Sequence, residues 1–264
     1  MSIYILPSKS DIDFINQTPA DFCIIVSNMS KKTDVVVYML HGWALHGQQI
    51  AMWADFVTAL KEKGIEGKLI KIPGLSAPLK EVWGVNDYVQ WLLKQLPNRP
   101  VILLGHSFGG QIAVRLANLH ADRVQKLILL DSAGLRDWSL LARTKRSGFE
   151  YLAKLGRKIT SSDLVRRGFY KVIGVGDYYH APPLLRKTMS KVVADEVWSD
   201  LPKVKQPTLI IWGRDDQTTP LKLGQKMHQL IQDNQLTIIE KARHSPHLTH
   251  PQQVAERIAQ FILT

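Results

Sequence analysis

Four side chains at the ends of apolar runs carry the chemistry this 264-residue sequence could do: a serine, an aspartate, a histidine and a further histidine in a His-Gly pair. Residues 101–105 (VILLG) run into Gly105-His106-Ser107-Phe108-Gly109-Gly110, a Gly-x-Ser-x-Gly pattern between a strand-like and a helix-like stretch. Gly105 and Gly109 leave room for a sharp strand-to-helix turn. Such a turn presents the Ser107 hydroxyl at the positive end of a helix, beside the free N–H of Phe108. A serine is a poor nucleophile at neutral pH and needs a base, which in turn needs an orienting acid. The acid candidates follow two other apolar runs: Asp215 and Asp216 after 208–212, and Asp131 after 126–130. The base candidates His244, His247 and His250 follow the run at 236–239. A fifth run, 35–40, leads into His41-Gly42-Trp43, where Gly42 lets the loop aim a backbone N–H, that of Trp43, at a reacting carbonyl. With the N–H of Phe108 it would make a two-donor oxyanion hole.

Elements must bring these groups together. The apolar runs at 35–40, 67–72, 101–105, 126–130, 208–212 and 236–239 have the length and composition of buried parallel strands. Between them, 50–63, 86–96 and 107–119 have helical spacing, and the chain closes on a helical pattern over 251–263. Alternation of this kind predicts an α/β fold with a mainly parallel sheet and helices on both faces. All the polar groups would then gather at the carboxyl edge of one sheet. The alternation breaks over 135–199, a basic stretch with aromatics and no good strand, which predicts a helical insertion dividing a core of 1–134 and 200–264.

Composition narrows the function. With 45% hydrophobic and 22% charged residues the chain is not disordered, collagenous or a long coiled coil. Its one cysteine, Cys23, excludes a disulfide framework and reads as an inert buried thiol. No stretch approaches 18 apolar residues and the N-terminus lacks a signal-peptide pattern, so a cytoplasmic protein with no integral membrane association is expected. No metal-ligand cluster stands out, and Gly105–Gly110 lacks both the Gly-Lys-Ser/Thr ending of a phosphate loop and G-x-G-x-x-G spacing. No cofactor, metal, nucleotide or nucleic-acid partner is therefore expected.

Taken together, His41-Gly42-Trp43, Gly105-His106-Ser107-Phe108-Gly109-Gly110, Gly213-x-x-Asp216 with Pro220, and His244 followed by Pro246 and Pro251 resemble the α/β-hydrolase superfamily, in the branch with a short helical lid that includes carboxylesterases. The resemblance covers about residues 34 to 264. It implies the α/β-hydrolase fold, with Ser107 as nucleophile, His244 as base, Asp216 as acid three residues after Gly213, and 135–199 as a lid. It further implies hydrolysis of a small-molecule carboxylic ester through an acyl-enzyme; a thioester or carbon–carbon bond, or ligand reception without turnover, are the alternatives on the same fold. Two loops depart from the family's pattern: Lys71 stands where an acidic residue is common, and Arg243 where glycine often precedes the base.

The formal charge of +11 is localised. Residues 136–191 hold 13 Lys or Arg against 4 Asp or Glu, a net +9, leaving +2 elsewhere. An excess placed over the mouth of a hydrolase site predicts an acidic substrate or carrier protein as partner, rather than nucleic acid.

Overall fold

The computed structural model describes residues 35–43, 49–136 and 181–263. Six strands, β1 (Val35–Leu40), β2 (Ile65–Ile70), β3 (Val101–His106), β4 (Val124–Leu130), β5 (Thr208–Gly213) and β6 (Asn234–Ile239), form one sheet in the order β2-β1-β3-β4-β5-β6. Every neighbouring pair is parallel. Because a parallel sheet is covered on both faces, its central strands can be apolar throughout. β3 and β5 are buried at every position.

Successive side chains of a strand point to opposite faces, and the core divides accordingly. Leu103, Leu127, Leu129, Ile210 and Trp212 pack into one layer with helices α3 (Val85–Gln95), α4 (Phe108–Leu119) and α6 (Leu221–Leu230). Leu104, Ile128, Leu130, Leu209 and Ile211 pack into the other with α2 (Ala54–Glu62) and α8 (Pro251–Leu263). The short helices α1 (Gln49–Met52) and α7 (Pro246–Thr249) flank that second layer, and α5 (Pro183–Ala194) lies on the first. The chain leaves β1 toward β2, then returns past it to β3, so the strand order reverses between β1 and β3. A crevice opens outside the carboxyl ends of the strands at such a switch point. His41 and Ser107 sit there, one residue beyond each strand.

β4 and β6 each begin two residues earlier than the sequence expectation, at Val124 and Asn234, the helix α6 was not among the expected ones, and two further boundaries differ. The second strand spans Ile65–Ile70 rather than 67–72, because its ladder runs Val35↔Ile65 to Leu40↔Ile70 and ends where β1 ends. The single helix expected over 50–63 is two, α1 and α2, separated at Trp53, whose 2% exposed ring is buried in the layer below. The expected lid falls largely on 137–180, outside the described residues; its C-terminal part contains α5. Among the described residues no helix is long and apolar enough to cross a membrane.

Arg115 of α4 ties α5 to the core. Its Nε donates to Asp200 Oδ2 at 2.8 Å, Nη2 to Asp195 Oδ1 at 2.8 Å and Nη1 to Asn86 Oδ1 at 2.8 Å. Removing one partner of a buried pair strands the others without a counter-charge. Replacing Arg115 by Ala should cost about 3 kcal/mol. In a chain of this size that is a Tm lower by about 10 °C in a thermal melt; an unchanged Tm would mean the network is solvated.

Candidate active site

The nucleophile candidate owes its position to backbone strain. Ser107 has φ 52° and ψ −118°, a left-handed conformation that costs a non-glycine residue about 1–3 kcal/mol. Hydrogen bonds on both sides hold it there. Its N–H donates to Leu130 O at the end of β4 (3.0 Å), while its carbonyl accepts from Gly110 N–H (2.9 Å) and Ala133 N–H (2.9 Å). The helix that follows approaches so closely that a Cβ on Gly105 would lie 2.5 Å from Gly109 O and Gly110 Cα.

Two loops converge on Ser107 Oγ. The β6–α7 loop brings His244 Nε2 to 3.0 Å from it. On the far side of the ring, His244 Nδ1 lies 2.8 Å from Asp216 Oδ2, in the β5–α6 loop. A carboxylate only accepts, so Nδ1 carries the proton and Nε2 accepts from the serine hydroxyl. The Asp216 side chain is fully buried yet fully partnered. Its Oδ1 accepts from the N–H groups of Thr218 (2.7 Å) and Thr219 (3.0 Å), and its Oδ2 from Thr219 Oγ1 (2.7 Å) as well as His244. Burial pushes the Asp216 pKa up, but His244 and Thr219 outweigh it and hold the carboxyl below its usual range. An ionised acid thus orients a neutral imidazole whose free lone pair faces a hydroxyl.

The oxyanion candidates, Phe108 and Trp43, both lie close to Ser107. Phe108 is the first residue of α4, so its N–H has no intrahelical acceptor. Trp43 follows the His41-Gly42 pair, and its ring packs edge-on against Phe108 with centroids 5.4 Å apart. Gly42 touches the nucleophile directly, since a Cβ there would stand 2.9 Å from Ser107 Cβ.

The profile of the alpha/beta hydrolase family matches residues 37–257. The chain belongs to the α/β-hydrolase family. Among similar proteins, pimeloyl-[acyl-carrier protein] methyl ester esterase of Nitrosomonas europaea is 27% identical over 233 residues, covering 81% of this chain and 90% of its own. The protein of the same name from Nitrosospira multiformis is 27% identical over 267 residues, covering 90% and 97%. Among solved structures, an α/β hydrolase from the metagenome of Mar Chica lagoon sediments, Morocco, aligns with TM-score 0.62 at 23% identity, covering 87% of this chain and 90% of its own. A serine hydrolase involved in carbazole degradation aligns with TM-score 0.63 at 21% identity, covering 87% and 91%.

In this α/β-hydrolase the remaining candidates separate by burial. Asp215 is exposed, its N–H donating to Ala242 O, and makes no contact with His244. His247 is fully buried in a stack with Trp53 (4.3 Å between centroids) and His106 (4.5 Å). His250 lies beyond α7, where its Nδ1 is 2.8 Å from Thr249 Oγ1. His106 Nε2 donates to the carbonyl of His244 at 2.7 Å and so anchors the loop of the base candidate. Thr219, not singled out by sequence reasoning, supplies the fourth hydrogen bond to Asp216; Asp-Gln-Thr-Thr before Pro220 is the signature of an Asx turn and could have flagged it.

Donor atoms of His106, Asp131 and His244 lie within 4.8 Å of one another, a spacing compatible with a metal ion. Both imidazoles already spend nitrogens on protein partners, Ser107 and Asp216 for His244 and the His244 carbonyl for His106, so the cluster is a hydrogen-bonded one.

Asp131 is the unexpected group. It has φ 39° and no exposed surface, and its Oδ1 accepts the Gly213 N–H at 2.8 Å. Its buried Oδ2 has no hydrogen-bond partner among the described residues. Burial, reinforced by the nearby Asp216 charge, pushes its pKa up to about 9, so it is a neutral acid in the folded protein. The unfolded chain releases that proton near the ordinary value of 3.8, so the folded state binds more protons between there and about 9. Stability therefore falls as pH rises through this window. Asp131→Asn, which does not titrate, should gain Tm relative to the wild type as melts move from pH 5 to pH 8.5. A constant difference across that range would show that Asp131 is ionised in the fold.

Proposed function

We propose that this protein hydrolyses carboxylic esters through an acyl-enzyme. The observation that carries the reading is the unbroken chain Ser107 Oγ to His244 Nε2 (3.0 Å) and His244 Nδ1 to Asp216 Oδ2 (2.8 Å) at the start of a helix. Ser107 Oγ attacks the ester carbonyl carbon while His244 Nε2 takes the hydroxyl proton. The N–H groups of Trp43 and Phe108 receive the oxyanion, a charge that exists only at the tetrahedral stage. As the intermediate collapses, His244 returns the proton to the departing alkoxide and an alcohol leaves. A water then gives its proton to His244 and attacks the acyl carbon, releasing the acid and restoring Ser107. Asp216 keeps the imidazole in one tautomer and balances its charge when protonated.

Two supports come from outside the site. Curated relatives at 27% identity are named as esterases of a carrier-protein-linked methyl ester. The basic residues concentrated over 136–191 suit an acidic substrate or carrier, which is the partner class proposed for that segment as a lid.

Ser107→Ala should abolish turnover of p-nitrophenyl esters and covalent labelling by a fluorophosphonate; undiminished turnover would overturn the proposal. Asp216→Asn should lower kcat by about 10⁴-fold, the scale of an orienting aspartate. The exposed Asp215→Asn should leave kcat within twofold, and equal losses from the two would refute Asp216 as the acid.

A further inference from the structure

The turn between β2 and α3 reaches back over the end of β1. Within it the Ile72 carbonyl accepts the N–H groups of Leu75 (3.1 Å), Ser76 (2.9 Å) and Ala77 (3.1 Å), Gly74 takes φ +85°, and Tyr88 Oη donates to Pro73 O (3.0 Å). This compact turn delivers Ser76 Oγ to 2.6 Å from His41 Nε2. The other nitrogen, His41 Nδ1, lies 2.8 Å from the carbonyl oxygen of Gly42.

Donor counting leaves one arrangement. A carbonyl only accepts, so Nδ1 holds the proton and donates to Gly42 O. His41 is fully buried, which lowers its pKa and keeps the ring neutral, so Nε2 must accept. Ser76 therefore donates its hydroxyl proton to His41 Nε2, while its oxygen accepts the Ile72 N–H at 2.8 Å. Reversing any link leaves two donors or two acceptors facing each other.

The carbonyl that receives this chain belongs to the peptide that carries the Trp43 N–H. The peptide is planar and trans, so fixing the Gly42 oxygen on one side fixes the Trp43 hydrogen on the other. Gly42 cannot provide that constraint itself, because glycine lets the following peptide plane rotate at little cost. A flip would present a carbonyl, rather than a donor, to a developing negative charge.

We propose that Ser76, acting through His41, is a positioning residue that locks the 42–43 peptide with its N–H toward the oxyanion. The inference rests on the reading of Trp43 as an oxyanion donor. In Ser76→Ala the ring loses its hydroxyl donor and is free to turn or change tautomer. Its kcat on a p-nitrophenyl ester should fall by about 10- to 100-fold, up to the scale of losing one oxyanion donor, with KM within threefold. The Ki of a trifluoromethyl ketone, whose hemiketal oxyanion needs the same donors, should rise by the same factor. Ser76→Thr, which keeps the hydroxyl, should restore both. His41→Gln supplies the same two readouts if Ser76→Ala does not fold. Wild-type kcat in the alanine variant, or a kcat loss with unchanged Ki, would overturn the proposal while leaving ester hydrolysis intact. Failure of that reading shows separately, as turnover that survives Ser107→Ala.

Discussion

Everything at the site hangs on one strained residue. Ser107 holds a left-handed backbone that its side chain disfavours, and four backbone hydrogen bonds, two to Leu130 and Ala133 and two to the first turn of α4, keep it there. The same conformation dictates its surroundings. A sharp turn forces strand and helix into contact, which leaves no room for a Cβ at Gly105. It also lifts the hydroxyl clear of the sheet edge, at the helix end where N–H groups are unpaired. The local cost is spread over β3, β4 and α4, three of the most buried elements of the fold.

Around that residue the protein controls charge by burial. Asp216 stays ionised because four hydrogen bonds outweigh its desolvation. Asp131, a few ångströms away and equally buried, has one accepted hydrogen bond and stays neutral. The imidazoles divide in the same way. Burial pushes His106 down to about 3 and His247 well below its ordinary value, so neither adds positive charge beside His244. A proton arriving on His244 thus meets one anion, Asp216, and neutral rings.

The histidines also work as anchors. His106 holds the carbonyl of His244, and His41 holds the carbonyl of Gly42. Each fixes a loop through its main chain, which allows the loop sequences to vary. Of the two departures from the family pattern, Arg243 lies in the loop anchored by His106 and Lys71 in the turn between β2 and α3, and neither lies in the hydrogen-bonded chain from Ser107 to Asp216.

Much of this was legible in the residues alone. Apolar runs of four to six residues marked all six strands, most plainly the inner ones, where β3 and β5 are buried at every position, while the edge strands β2 and β6 carry polar residues; the Gly-x-Ser-x-Gly run could be read because its glycines answer to a local steric demand. Helix α6 escaped because its apolar face is short, and the start of β2 was misjudged because register with β1, a tertiary matter, sets it. Three neighbouring histidines and two adjacent aspartates are chemically alike in one dimension, and only a resemblance ranked them. Burial and direction distinguish them in three. The fold turns Asp215 to solvent, His247 into a stack of rings, and Asp216 and His244 toward one hydroxyl. Residue type and local spacing set what each segment can do; which side chains meet depends on how the sheet stacks its loops, and no local pattern encodes that.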